Sequence, residues 1–470
     1  MSTSVEPFNS FDVRTRPAIR RLIWLYFFLL MFEGALRKWI LPGLSNPLLL
    51  VREPVVILIY LLALGEGIFV FNGVVTALAG LGGAAIFFSL SVGTSDPLVT
   101  TYGFCANFLH LPLIFIIPSV MGRDHVIKLG RWVLVLSVPM AILMVIQFRS
   151  PPDAWINCGA GGGVGSQMRS ALGKIRPPGL FTFIVGAAQY LAFAVVFLIM
   201  GFMEKGVYGR MLLLVSGFAL VMSTVVSSSR LVLGGIGVVF LMIGFIVYYD
   251  RSGFTGTLRL LLPLGLILVV ATNLDVFQEG RAVFEARLQE AGDAKAGLAE
   301  TASNWTERMF GAYVGGFYWA HNSEILGGGL GVGTNVGVRF LKVSAEMVEG
   351  EPARVMIEMG PIVGTLYLLV RQFICVMLFR AAAASARVSN FLPMLLFGSC
   401  VLSMSSGQFS QSSILGFSVL GAGVCLAAAP LSDDETVESD GSGDAEIKPR
   451  GCGPHAQSLH PAQPGPVPQV

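Results

Sequence analysis

Charge is what this sequence has least of. Only 13% of its 470 residues are Asp, Glu, Lys or Arg, about half the roughly 25% carried by an ordinary soluble domain. That shortage excludes a soluble multidomain enzyme despite the length. Net charge is +2, and no nucleic-acid partner is expected. The six cysteines (Cys105, Cys158, Cys375, Cys400, Cys425 and Cys452) form no CxxC pair and fall mostly in apolar blocks. They read as small buried hydrophobes. No Asp-x-Asp or His-rich pattern stands in a segment expected outside the membrane, so no metal and no other cofactor is expected. A cleaved signal peptide is not evident either. The first apolar run begins near Leu22, behind Arg14, Arg16, Arg20 and Arg21, and reads as a retained span.

What is abundant is apolar: 54% of the chain, in blocks of about 17–25 residues, the length that crosses a bilayer core as a helix. The expected fold class is an all-α polytopic membrane protein of about twelve transmembrane helices, near 22–41, 54–72, 74–93, 100–121, 131–148, 181–202, 210–228, 231–249, 258–274, 357–379, 390–408 and 412–430. Residues 1–21 are then a cytoplasmic N-terminus and 22–430 the membrane domain. The connections "MGRDHVIKLGR", "MEKGVYGR", "YYDRSGFTGTLR" and "FRAAAASAR" each carry more Lys/Arg than Asp/Glu. With the basic N-terminus inside, all four also fall inside, as the positive-inside rule requires. Twelve crossings return the C-terminus to the cytoplasm. Residues 431–470, an acidic block followed by Pro, Gly and His, cannot bury a core and are expected to be disordered.

Two long connections fall outside, 149–180 and 275–356. The second lies between spans 9 and 10 and holds eleven Asp/Glu against seven Lys/Arg up to Arg354. Its aromatics (Trp305, Phe310, Tyr313, Phe317, Tyr318, Trp319) predict a folded cap, and "VFQEGRAVFEARLQEAGDAKAGLAE" predicts a charged, partly amphipathic surface helix. Cations collect on this side against the general trend. Arg230 follows three serines at the tip of a tight hairpin between spans 7 and 8. Arg37, Lys38 and Arg52 lie in the first external connection, Lys174 and Arg176 precede span 6, and Arg308 and Arg354 lie in the large loop. A lone interfacial arginine can simply snorkel to lipid phosphate. Guanidinium forks also match diphosphate oxygens in pairs and stay charged at any relevant pH, so this set suits an anionic lipid head group.

Four stretches, in order, carry a resemblance: "RPPGLFTFIVGAAQYLAF", "SSSRLVLGGIGVVFLMIGF", "ERMFGAYVGGFYWAHNSEILGGGLGVGTN" and "IEMGPIVGTLYLL". Together they resemble the O-antigen polymerase and O-antigen ligase superfamily of bacterial envelope membrane proteins, over roughly residues 170–380. The resemblance implies an inner-membrane glycosyltransferase that extends surface polysaccharide from undecaprenyl diphosphate-linked glycan, without metal. Membrane lipid and other polysaccharide-assembly proteins are the further partners it implies. Arg230 would be catalytic, and Arg176, Arg308, Arg354, Arg37, Lys38 and Arg52 would bind diphosphate or glycan, since a departing diphosphate needs fixed cations where no metal serves. A general base for the acceptor hydroxyl would come from His321, Glu358 or Glu351.

Each has a blander alternative. His321 can pack and cap a turn beside Tyr318 and Trp319, and Glu351 can merely solvate the loop. "LGGGLGVGTNVG" is neither a P-loop nor a dinucleotide fingerprint, and reads as a tight turn or as backbone N–H groups approaching a sugar or diphosphate. "SSGQFSQSS", 405–413, lines a polar cavity or is a wet turn. The chain departs from the ligase branch, whose His-Asn pair before the Glu-x-Gly turn is replaced here by "EGEPARVMIEMG". That favours polymerase over ligase. A twelve-span solute transporter shares the layout, although the halves show no internal repeat.

Overall fold

The structure, a computed structural model, describes residues 16–92, 96–290, 311, 315–316, 318, 324–341 and 350–429. The N-terminal 15 residues, most of the aromatic part of the large loop and the tail 431–470 lie outside the described residues, and with them Arg308 and His321. Among the described residues the chain is helical. One antiparallel bridge, Arg169–Ile175, is its only β pairing. In order come α1 (Pro17–Ala35, continued as a π-turn over Leu36–Ile40), α2 (Glu53–Gly65), α3 (Gly73–Val92), α4 (Pro97–Phe104, continued by Cys105–Leu109) and α5 (Leu113–Val120). Then follow α6 (Arg123–Arg149), α7 (Ile184–Met203), α8 (Arg210–Ser227), α9 (Arg230–Tyr249), α10 (Ser252–Thr272) and α11 (Asp275–Glu290). The last four are α12 (Asn335–Leu341), α13 (Glu351–Arg387), α14 (Leu392–Ser406) and α15 (Ser412–Ala428).

Each of the twelve expected segments is largely helical, but among the described residues eight helices are long and apolar enough to cross a membrane. A ninth crossing results if α4 and α5, bent by 46° at a short break, are one broken span. The other three fall short for separate reasons. Helix α1 carries Arg20, Arg21 and Glu33, while α14 and α15 have only 15 and 17 residues. Helix α7 is the centre: 89% of its apolar window is buried, against 22% for α10 and 28% for α9. A helix apolar all round belongs in the middle of a bundle, and "IVGAAQYLAFAVVFLIMGFM" has no charged residue.

Contacts sort the helix ends into two layers, as the alternation of connections predicts. At one end Arg20 Nη1 meets His125 Nε2 at 2.9 Å, Arg123 pairs with Glu204 at 2.5 Å, Ser389 donates to Asp250, and Asn390 donates to the Ala428 carbonyl at 2.7 Å. At the other, Lys38 Nζ donates to the Gly179 carbonyl at 2.6 Å, Arg52 Nη2 to the Ser412 carbonyl at 2.6 Å, and Lys174 pairs with Glu279 at 2.5 Å. The charged surface helix expected from residue 276 is α11, which packs on α8.

The tenth expected span differs most from its expected form. A helix of 37 residues would place Glu351 and Arg371 about 30 Å apart, yet Arg371 Nη1 lies 2.7 Å from Glu351 Oε1. The chain doubles back at Gly360, whose φ of 73° and ψ of 171° fall in a region open essentially to glycine alone. Residues 351–359 thus form a short limb packed against the helix that begins at Pro361, with Val355 beside Gly364. A Cβ at position 360 would lie 2.2 Å from the Ile325 carbonyl oxygen. Gly360→Ala is therefore expected to lower the thermal unfolding midpoint of the detergent-purified protein, with about 1–3 kcal/mol lost to backbone strain alone. An unchanged midpoint would contradict the fold-back.

Candidate functional site

Helix α8 ends at Ser227 and α9 begins at Arg230, so the hairpin consists of Ser228 and Ser229. Ser228 adopts left-handed backbone angles (φ 44°, ψ 34°), a position where helix ends usually place glycine. It is 1% exposed, and its hydroxyl has no hydrogen-bond partner among the described residues. Strain and an orphaned buried hydroxyl together mark a site where something other than stability is served. Arg287 of α11 donates to the Ser228 carbonyl. Arg176, in the long connection before α7, comes close enough to Arg230 to feel its charge. Burial first, and Arg230 second, hold the Arg176 guanidinium below its ordinary value. Its Nη1 meets Met168 Sδ at 3.3 Å, its buried Nε has no partner, and no described carboxylate pairs with it. Its neighbours differ: Lys174 and Arg149 both pair with Glu279. Arg176 thus lies within electrostatic reach of Arg230, which directly follows the hairpin that holds the unpartnered Ser228 hydroxyl.

The other expected cations are placed differently. Arg37 and Arg52, expected in an external connection, are buried and share Glu33, at 3.1 and 3.4 Å. Arg52 also donates to Tyr26 Oη at 3.3 Å, and Tyr26 lies 3.1 Å from His110 Nδ1. His110 Nε2 in turn lies 3.6 Å from Glu53 Oε1. Lys38 is buried against the Gly179 carbonyl with Trp39 4.0 Å beneath it.

Arg354, expected in the large loop, is 1% exposed on the short limb of α13. It pairs with Glu351 and Glu358, both at 2.8 Å, and donates to Asn107 at 2.7 Å. Glu351 also takes Arg371. Glu358 accepts from the Gly333 N–H at 3.2 Å, so it anchors the glycine-rich turn. In that turn the N–H groups of Gly328 and Gly329 go to the Ile357 and Glu358 carbonyls, and that of Leu330 to Ser89 Oγ. Those three N–H groups are spent within the protein, as the tight-turn reading expects.

Two charged quartets therefore exist, each of two carboxylates and two guanidiniums: Glu33, Arg37, Arg52 and the half-buried Glu53, and the buried Glu351, Arg354, Glu358 and Arg371. Glu33, Glu53 and Arg371 were not singled out from sequence. Glu33 stands four residues before Arg37, and Glu351, Arg354 and Glu358 follow helical spacing. Arg371 interrupts an apolar run, itself a signal in a membrane segment. Among the described residues no group of three His, Cys, Asp or Glu is placed to hold a metal ion. No protein-family model matches the chain, and no curated protein matches it.

Proposed function

We propose that the chain is a twelve-crossing protein of the bacterial inner membrane, with both termini cytoplasmic, that transfers glycan from an undecaprenyl diphosphate donor at the outer face. The observation that supports it most is that Arg176 feels the charge of Arg230, next to whose hairpin stands the orphaned Ser228 hydroxyl. Arg176 pairs with no described carboxylate, and an anion beside it would offset the field of Arg230. In the reaction the acceptor hydroxyl oxygen bonds to the anomeric carbon, the bond from that carbon to the diphosphate oxygen breaks, and the lipid diphosphate leaves with the electron pair. Arg230 and Arg176 neutralise the charge that develops there. The acceptor proton needs a base. Glu351 and Glu358 are each taken up by Arg354, so that role falls to His321. Deleting the protein should shorten surface polysaccharide and accumulate undecaprenyl-linked glycan of a few repeats; His321→Ala should reproduce this, whereas normal polysaccharide in the deletion strain would end the reading.

A solute transporter is the second reading, favoured by the charged quartets, because charged residues inside a membrane bundle often mark ion pathways. Ion-dependent uptake into vesicles that persists in Arg230→Ala would select it.

A further inference from the structure

Helices α14 and α15 are joined by Gly407–Gln411, and this turn is held from both sides. From one, Arg371 donates to the carbonyls of Ser403, Met404 and Gly407 at 2.8–3.1 Å, lies 3.7 Å over the Phe409 ring, and Glu351 accepts from the Phe409 N–H at 3.2 Å. From the other, Arg52 donates to the Ser412 carbonyl, Ser412 Oγ to Glu33 at 2.9 Å, and Tyr102 Oη to the Ser410 carbonyl at 3.2 Å. Each quartet grips one end of the turn.

The turn also lies below the start of the long limb of α13. Arg371 stands ten residues beyond Pro361, about 15 Å down that helix, and the turn sits at its level. Helix α14 rises only about 22 Å over its 15 residues, short of the roughly 30 Å of a hydrocarbon core. Its neighbour α9 sets the height. A Cβ on Gly398 would lie 3.2 Å from Val239 Cα; nine residues further along these opposed helices bring Gly407 level with Arg230. Helices in contact lie about 8–10 Å apart.

Phe409 and Ser410 are buried, but Ser405, Ser406, Gln408, Gln411 and Ser413 are partly exposed. A polar rim at the level of the Arg230 hairpin, below the start of the long limb of α13, suits water rather than lipid.

Gln411 Nε2 donates to Gln408 Oε1 at 2.7 Å. The pair leaves the Gln408 side-chain N–H groups and the Gln411 side-chain amide oxygen available, a donor and an acceptor in one turn. The charges beneath are balanced within the quartets, so the floor offers hydrogen bonds rather than net charge. We propose that Gly407–Gln411 floors an aqueous recess beside Arg230 and that the Gln408–Gln411 amide pair binds the hydroxyl groups of an uncharged glycan segment. This rests on the glycan-transfer reading above and supplies its sugar subsite.

The test places a cysteine at the floor, Gln408→Cys, in a background without the six native cysteines, with Ser413→Cys as a second reporter and buried Phe409→Cys as control. A membrane-impermeant maleimide applied to spheroplasts should label 408 and 413 but not 409. Oligosaccharides released by mild acid from the host's own surface polysaccharide should slow labelling at 408 about tenfold, and inorganic pyrophosphate should not. In the native-cysteine protein, Gln408→Ala with Gln411→Ala should raise the apparent KM for lipid-linked glycan about tenfold, the equivalent of one or two hydrogen bonds. Silence at both 408 and 413, equal labelling with and without oligosaccharide, or equal protection by pyrophosphate would overturn the subsite. The deletion phenotype, read separately, decides the transfer reading.

Discussion

Arg230→Ala is expected to abolish glycan chain extension while the protein still reaches the membrane in normal amounts. Removing one fixed group that stabilises developing charge typically costs about 10²–10³ in rate, and Arg176 alone cannot restore it. Arg230→Lys tests the geometry separately. A lysine keeps the charge but loses the planar fork that meets two oxygens at once, so extension should return weakly, with short chains predominating. Arg176→Ala should resemble Arg230→Lys more than Arg230→Ala. The measurement is the ladder of polysaccharide lengths, read beside an immunoblot of the membrane fraction. An unaltered ladder in Arg230→Ala would remove the arginine pair from the chemistry.

Arg354→Met is expected to fail differently, by losing the protein. It leaves Glu358 and part of the Glu351 charge buried without their cation. Breaking a buried ion pair from one side costs about 3–5 kcal/mol, a large share of a marginal total. The membrane level and the thermal midpoint in detergent should both fall sharply. Pairing it with Glu358→Gln restores charge balance in the quartet and should recover at least about 1 kcal/mol, because residues in direct contact do not act additively. If the double variant is no better than Arg354→Met, charge compensation is not what Arg354 supplies. This contrast also separates the two kinds of arginine at this end of the bundle: Arg354 is matched by described carboxylates, and Arg176 is not.

Much of the fold was legible. Apolar runs set the helices, and the Arg-rich connections grouped their ends, as Arg123–Glu204 and Asn390–Ala428 bear out. The hairpin at Ser228 fell where the serines precede Arg230. The site was less legible. Arg37, Arg52 and Arg354 look alike in sequence to Arg176, since each is a cation next to an apolar run. Their partners are what distinguish them. Glu33 reaches Arg52 across 19 residues, and Arg354 reaches Asn107 across 247. The "EMGP" stretch looked like the start of a span, and only the φ of Gly360 reveals a fold-back.

The sequence by itself determined where helices form and which ends share a layer, because the cost of placing a residue in an apolar medium is a property of the local run. Tertiary structure alone decided which cations are matched by described carboxylates, because neutralising a buried guanidinium requires a carboxylate a few ångströms away, wherever in the chain it originates.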